Sequence, residues 1–337
     1  MDIEQRQELL RYLRSGGWIG PEEEPEVYPL SGGVSNRTVW VERLNGEAWV
    51  LKQALEKLRV AGDWYSDPER IHREALGIRW LGKLTPPGTI TPLVFEDHVY
   101  HILAMQAVPQ PHVNWKTMLL AGKLELDHVT QFGALLGIIH RESSLRRFEI
   151  EPFFIDRSFF ESLRIEPYYA YTVSQVPAAG SFYSTLIADY QSRAISLVHG
   201  DYSPKNLLLY AGRLVLLDHE VIHFGDPAFD LGFSLTHLLS KAHHLPQHRV
   251  AFGQAAIYYW RVYMQTLGKT GWEMNLEPRV VQHTLGCLLA RAVGRSPLEY
   301  LNPEERSRQA AVTLKLMNQP IQRVEELVKG FLYELEY

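Results

Sequence analysis

Residues 197–220, LVHGDYSPKNLLLYAGRLVLLDHE, gather two aspartates, an asparagine, a lysine and a glutamate around two apolar runs. NLLLY and RLVLLDHE read as strands joined by a tight turn at Ala211-Gly212. A hairpin of this kind returns the end of its second strand to the loop before its first. Asp201 and Asn206 are therefore expected near Asp218 and Glu220. Carboxylates gathered in this way repel one another unless a cation lies among them. The oxygen donors of Asp218 and Asn206 suit Mg²⁺, which takes one or two carboxylates and completes its shell with phosphate oxygens and water. Asp201 is left to accept a proton. Glu220 either joins the metal site or hydrogen-bonds the loop, and His199 reads as a buried residue that positions it.

The elements that must position these groups fall into two compositional halves. Residues 3–14 are an amphipathic helix closed by Gly16-Gly17. Strands follow: EVYPL, then RTVWVERL and EAWVLKQAL around Asn45-Gly46, a strong hairpin signal, and later ITPLVFED and HVYHILAMQA. Between them DPERIHREALGIRWLGKL spaces Ile71, Ala75, Ile78 and Leu81 along one helical face, with Asp67 as the expected N-cap. VPQPHVN then forms a connector. Beyond it the pattern is mostly helical, beginning with DHVTQFGALLGIIHRES. The expected fold is α+β, with a small antiparallel-sheet N-lobe over residues 1–106 and a larger helical C-lobe over 107–337.

Composition sets bounds on function. The 337 residues suffice for two lobes, and 46% hydrophobic with 22% charged is ordinary globular usage. A net charge of −5 argues against nucleic acid as the main partner. The one cysteine, Cys287, lies in an apolar helical run and reads as a core residue. No signal peptide or membrane span is expected, so the reading is cytoplasmic.

HGDYSPKN, residues 199–206, resembles the catalytic loop of the protein-kinase-like superfamily, with Gly200 in place of the usual arginine. This form is similar to that of the small-molecule branch: aminoglycoside phosphotransferases, choline kinases and their relatives. LLDHE stands where that superfamily carries its metal-binding aspartate, here Asp218, and FGDPAFDLG resembles the segment that follows it. The resemblance covers roughly residues 26–300. It implies a two-lobed kinase-like fold, ATP and Mg²⁺, Asp201 as catalytic base, and Asn206 and Asp218 as metal ligands, with Glu220 in the weaker position. LSGGVSNRTVWV resembles the nucleotide-binding loop, so Gly32, Gly33 and Ser35 would cover the phosphates. Lys52 would contact them, held by Glu74, and adenine would lie against the connector near Met105 and Ala107. No Walker A motif is present.

Residues 52–75 and DHEVIHFGDPAFDLG are also similar to methylthioribose kinases. LLARAVGRSP would then match the arginine pair that holds the sugar in those enzymes, with Arg291 in the second position and Ala290 in the first. For acceptor binding the candidates are Lys205, Arg164, Tyr168 and Arg291. Lys205 reads either as a surface lysine or as a cation reaching the transferred group. The aromatic segment 153–171 reads as core by default, and Asp226 and Asp230 as structural anchors of the catalytic loop. Residues 231–337 hold twelve Lys/Arg against nine Asp/Glu, which suits a neutral or anionic acceptor better than a polycation. The functional reading is ATP-dependent phosphorylation of a small metabolite's hydroxyl, such as that of a methylthioribose-like sugar. The alternatives are an aminoglycoside or amino-alcohol phosphotransferase and, from another class, a kinase-fold protein that binds nucleotide without catalysis.

Overall fold

A computed structural model describes residues 1–30, 33–59 and 63–336. Gly32, assigned above to the nucleotide loop, and residues 60–62 of the 52–75 run lie outside them. The chain divides into two compact units, Met1–His112 with Val215–Glu220, and Val113–Leu214 with Val221–Tyr337. Among the described residues no helix is long and apolar enough to cross a membrane.

The first unit is built on a five-stranded antiparallel sheet. Its elements in chain order are α1 (Arg6–Ser15), β1 (Glu26–Pro29), β2 (Asn36–Glu42), β3 (Ala48–Ala54), α2 (Arg70–Leu84), β4 (Leu93–Asp97) and β5 (Ile102–Gln106), with sheet order β1-β2-β3-β5-β4. Gly46 takes a positive φ of 85° in the loop between β2 and β3, and the Asn45 side chain accepts the Glu47 N–H there. Strand alternation divides the sheet's two faces. Val39, Val41, Trp49 and Leu51 pack with Leu9, Leu10 and Leu13 of α1, whereas Lys52 is left on the face that α2 covers. The helix α2 starts at Arg70 rather than at Pro68. Asp67 spends its side chain on the Glu69 N–H, closing a turn before the helix instead of capping it.

Val215–Glu220, placed in the C-lobe by the sequence reading, belongs to the first unit. Its ties explain why. The Leu216 N–H bonds the Thr89 carbonyl at 2.8 Å, Leu216 bridges Ile90 in parallel, and Asp218 and Glu220 pair with Lys52 and Arg70.

The second unit is mainly helical. Its elements are β6 (Val113–Asn114), α3 (Trp115–Leu120), α4 (Leu126–Leu145), α5 (Arg147–Phe154), α6 (Ser158–Phe160), a π-helical segment Glu161–Ala170, α7 (Tyr171–Gln175), α8 (Gly180–Gln191), β7 (Ser196–Val198) and β8 (Leu207–Tyr210). They continue through β9 (Arg213–Leu216), along which the chain passes into the first unit, to β10 (His223–Gly225), α9 (Ala228–His244), α10 (Arg249–Leu267), α11 (Leu276–Val293), α12 (Pro303–Met317) and α13 (Val324–Glu336). Ala211 and Gly212 both take positive φ, 47° and 75°, as the expected tight turn requires. The second strand is shorter than expected. It stops at Leu216, and Asp218 has a φ of 68°, which lies outside strand geometry.

α9 is buried along almost its whole length, so its position depends on close packing. A Cβ at Gly232 would lie 2.6 Å from the His283 Cβ and 2.7 Å from the Thr284 nitrogen, so α9 and α11 meet there with no room for a side chain. Cys287 on α11 is fully buried, and burial pushes its thiol up to about 12, which makes it an inert core group as the sequence reading expected. We expect Gly232→Val to destabilise the chain by about 1–3 kcal/mol, the usual cost of overpacking, measured as a lower urea midpoint with unchanged slope.

Candidate active site

In the first unit the chemistry centres on one ammonium. The Lys52 Nζ lies 2.7 Å from Glu74 Oε1 and 2.8 Å from Asp218 Oδ1. Burial alone would lower its pKa, but Asp218 and Glu74 outweigh that effect and hold it above the ordinary lysine value. Glu74 is fully buried. Desolvation raises its pKa against the pull of Lys52, with the charges of Asp218 and Glu220 adding to the rise. The three residues come from β3, α2 and the 215–220 segment, so their meeting fixes three separate pieces of chain.

A second buried ion pair lies in the same unit. The Arg70 side chain is fully buried, with its Nε 3.2 Å from Glu220 Oε2. Its Nη1 donates to the Ser66 and Asp67 carbonyls at 3.0 Å each, and its Nη2 donates to the carbonyls of Leu55 and Ser35. Glu220 Oε2 also accepts from Asn36 Nδ2 at 3.3 Å. Glu220, read as a weaker metal ligand, thus spends this oxygen on tying the phosphate-loop candidate to the start of α2. Neither Arg70 nor Asn36 was singled out from sequence. Asn36 had a signal, its place directly after Gly-Gly-Val-Ser; Arg70, a lone arginine at a helix start, had none.

The remaining nucleotide candidates occupy a loop and a connector. Ser35 is buried and its hydroxyl accepts from Asn36 Nδ2 at 3.2 Å. Among the described residues, a Cβ at Gly33 would meet nothing nearer than the Asn36 carbonyl at 3.8 Å. Met105 is buried on β5 opposite Val50. The Ala107 N–H is bonded to the Ala48 carbonyl at 2.9 Å, which commits that donor to the connector's own structure.

In the second unit Asp201 is buried, and its Oδ2 receives Asn206 Nδ2 at 2.7 Å and Arg164 Nη2 at 3.0 Å. Asn206 Nδ2 also reaches the Asp201 carbonyl at 3.0 Å. With its amide nitrogen turned to Asp201, Asn206 has Oδ1 as the atom it could offer a metal ion. The loop is held from below by Asp230, which is fully buried and accepts the His199 N–H at 2.6 Å and the Gly200 N–H at 2.8 Å. Burial alone would raise the Asp230 pKa. The bond and charge of His140, with the charge of His199 and its N–H bond, hold it below the ordinary value. His199 Nδ1 accepts the Asp201 N–H at 3.2 Å, the positioning role expected of it. Gly200 has a φ of 77°, and a Cβ there would lie 2.9 Å from Val221 Cγ2, so this position excludes the usual arginine. Asp226, expected to anchor the loop, instead accepts the Ala228 N–H at the start of α9 and pairs with Arg279 at 2.7 Å.

The four acceptor candidates separate in the same unit. The wide turn of 161–170, which accommodates Pro167, presents Arg164 and Tyr168 together. Arg164 and Arg291 lie 5.6 and 5.3 Å from the centroid of the same Tyr168 ring, and Arg164 Nε donates to the Gly200 carbonyl at 2.9 Å. Three candidates therefore form a contiguous set that reaches Asp201. Lys205 is exposed, and its carbonyl accepts from Asn114 Nδ2 at 2.7 Å.

Solved structures share this fold at low identity. A choline/ethanolamine kinase family protein from Mesorhizobium loti is 15% identical with a TM-score of 0.54, covering 98% of this chain and 99% of its own. An amicoumacin kinase solved with AMP-PNP and Ca²⁺ is 14% identical with a TM-score of 0.58, covering 94% of each chain. A macrolide 2'-phosphotransferase from Brachybacterium faecium is 17% identical with a TM-score of 0.51, covering 94% of this chain and all of its own (100%). The architecture is thus that of the protein-kinase-like phosphotransferases, with an antiparallel-sheet N-terminal part and a larger helical part. The model of the phosphotransferase enzyme family matches residues 26–265, and the chain belongs to that family. No curated protein sequence matches it.

Arg70→Met leaves Glu220 buried without its guanidinium, and we expect a loss of about 3–5 kcal/mol in urea unfolding. Adding Glu220→Gln should recover part of that loss. An unchanged midpoint in the single variant would show that the pair carries no structural weight.

Proposed function

We propose that the protein is an ATP-dependent small-molecule kinase, cytoplasmic, that transfers the γ-phosphoryl group to a hydroxyl of a small metabolite. A sugar such as a methylthioribose-like compound is the first candidate. The observation that carries the reading is Asp201: a buried carboxylate on a loop clamped by Asp230, oriented by Asn206 and Arg164, in a chain of the phosphotransferase family. Lys52, charged and aimed by Glu74, is the group that would orient the phosphates. Gly32, Gly33 and Ser35 would cover them, and the connector around Met105 and Ala107 would take the adenine.

Oxygen donors of the kind Mg²⁺ prefers are present in Asp218 and Asn206. When bound, the metal would neutralise charge on the transferred phosphates. Asp218 Oδ1 accepts from Lys52, so a metal ion would share this carboxylate with that ammonium. During transfer a bond forms between the acceptor oxygen and the γ-phosphorus as the bond from that phosphorus to the β,γ-bridging oxygen breaks. Asp201 takes the hydroxyl proton, and ADP leaves. Most of the work is positioning and charge stabilisation, for which this small set of groups suffices.

The test is ADP release from Mg-ATP over methylthioribose, other pentoses and hexoses, choline, homoserine and aminoglycosides. We expect one acceptor class to give turnover, with Asp201→Ala lowering it by about 10²- to 10⁴-fold while nucleotide affinity is kept. Lys52→Met should lose turnover as well. Turnover that ignores Asp201→Ala would remove the base assignment. Nucleotide binding with no turnover on any acceptor would favour the non-catalytic reading.

A further inference from the structure

Among the described residues the second unit buries two cations, and a histidine beside them, that no carboxylate pairs. Arg291 is 8% exposed, His237 5% and Lys241 0%. Among the described residues, the Arg291 side chain bonds through Nη1, to Tyr168 Oη and to the carbonyl and hydroxyl of Ser296, and its buried Nε has no partner. Lys241 Nζ donates to the His237 carbonyl at 3.2 Å and lies 5.2 Å from the Tyr300 ring centroid, with no carboxylate in bonding range among the described residues. His237 Nε2 and Tyr300 Oη are likewise buried without a partner. Nearby Lys116 is paired with Glu299, which leaves that carboxylate shared at best. Buried cations and donors without counter-charges are costly, and proteins keep them where something anionic completes them.

These groups are joined to the proposed base. Asp201 contacts Arg164, Arg164 and Arg291 both lie over Tyr168, Tyr168 stacks on Phe233 at 5.9 Å, and the Phe233 ring meets the His237 ring at 4.8 Å. His237 and Lys241 are four residues apart on α9, the same helix whose Asp230 fixes the catalytic loop. We propose that the acceptor carries an anionic group, a carboxylate or a phosphate ester, and that Arg291, Lys241 and His237 hold it while its hydroxyl meets Asp201. This rests on the kinase reading above and replaces its neutral methylthioribose-like candidate with an acceptor that carries an anionic group. An arginine whose Nε edge is free suits either anion through a two-point contact, whereas a polycationic aminoglycoside or choline would meet like charge.

The surroundings make the site sensitive to pH. Burial first, then Lys116 and Arg291, bring the Lys241 pKa down to about 7, with Glu299 opposing, and burial with the neighbouring cations Lys241, Arg291, Lys116 and Lys205 lowers that of His237. Lys241 therefore carries full charge only below about pH 7, and anion affinity should fall as pH rises from there.

The experiment uses the full chain saturated with Mg-AMP-PNP and measures binding by calorimetry and thermal shift. The probes are malonate and inorganic phosphate as free anions, and glucose, glucosamine, glucuronate and glucose 6-phosphate as a charge series on one ring. Choline chloride at equal ionic strength is the control. We expect an anion to bind, more weakly above pH 7, and Lys241→Met and Arg291→Gln each to reduce that binding about tenfold or more. The two arms of the series tell a carboxylate from a phosphate ester. In the absence of anion Lys241→Met should raise the melting temperature, since it removes an uncompensated buried charge; this also verifies that the variant folds. Binding of the neutral or cationic members as tight as that of the anions would overturn the proposal. So would anion binding unchanged in folded Lys241→Met, or no anion binding at all. Lys241-dependent anion binding without Asp201-dependent turnover would remove the kinase reading and leave the anion site. Turnover on a cationic acceptor would do the reverse.

Discussion

An ammonium taken out of water must recover its lost hydration from fixed carboxylates, and the Lys52 ammonium does so from two. Glu74 and Asp218 arrive from a helix and from a segment well over a hundred residues further along the chain. Because the charge tolerates neither partner's loss, β3, α2 and the 215–220 segment are held to a common point. The same requirement explains why Val215–Glu220 groups with the sheet-bearing unit. Arg70 and Glu220 repeat the device a short way along, with the guanidinium also collecting four backbone carbonyls. The nucleotide loop candidate is thereby anchored through Ser35 and Asn36.

The second unit solves a different problem, holding a carboxylate ready without leaving it free to move. Asp230 does this through the backbone N–H groups of His199 and Gly200, so the loop's shape depends on main-chain geometry. Gly200 belongs to that geometry because its φ is positive and its Cβ position is filled by Val221. α9 then links the loop to a set of buried basic groups two to three turns further along. A helix packed against α11 with no space at Gly232 has little freedom to slip, which keeps these distances fixed.

Much of this was legible in the chain. The strands of the first unit, the Ala211-Gly212 turn and the buried Cys287 rest on periodicity, turn chemistry and composition, and have their counterparts in the structure; the Lys52 and Glu74 assignments came from the family resemblance. Other readings failed for local reasons. Asp67 could serve either a helix start or the preceding turn, and Pro68 did not decide between them. Asp226 and Asp230 look alike in FGDPAFDLG, yet only the second points to the loop, because the first is taken up by Arg279 from α11.

By itself the sequence determined the class of fold, the family's loop motifs and the residue types that could carry phosphoryl transfer, because these depend on short-range spacing along one segment. Tertiary structure alone decided which charges are paired. Arg70 with Glu220, Arg164 with Asp201, and Arg291 and Lys241 with no carboxylate partner among the described residues are outcomes of packing between segments far apart in the chain. A count of charges in the sequence gives a surplus of three positive groups beyond residue 230. Only burial shows which of them are out of water and unneutralised, and it is the cost of that state, set by the local dielectric, that points to the chemistry of a ligand.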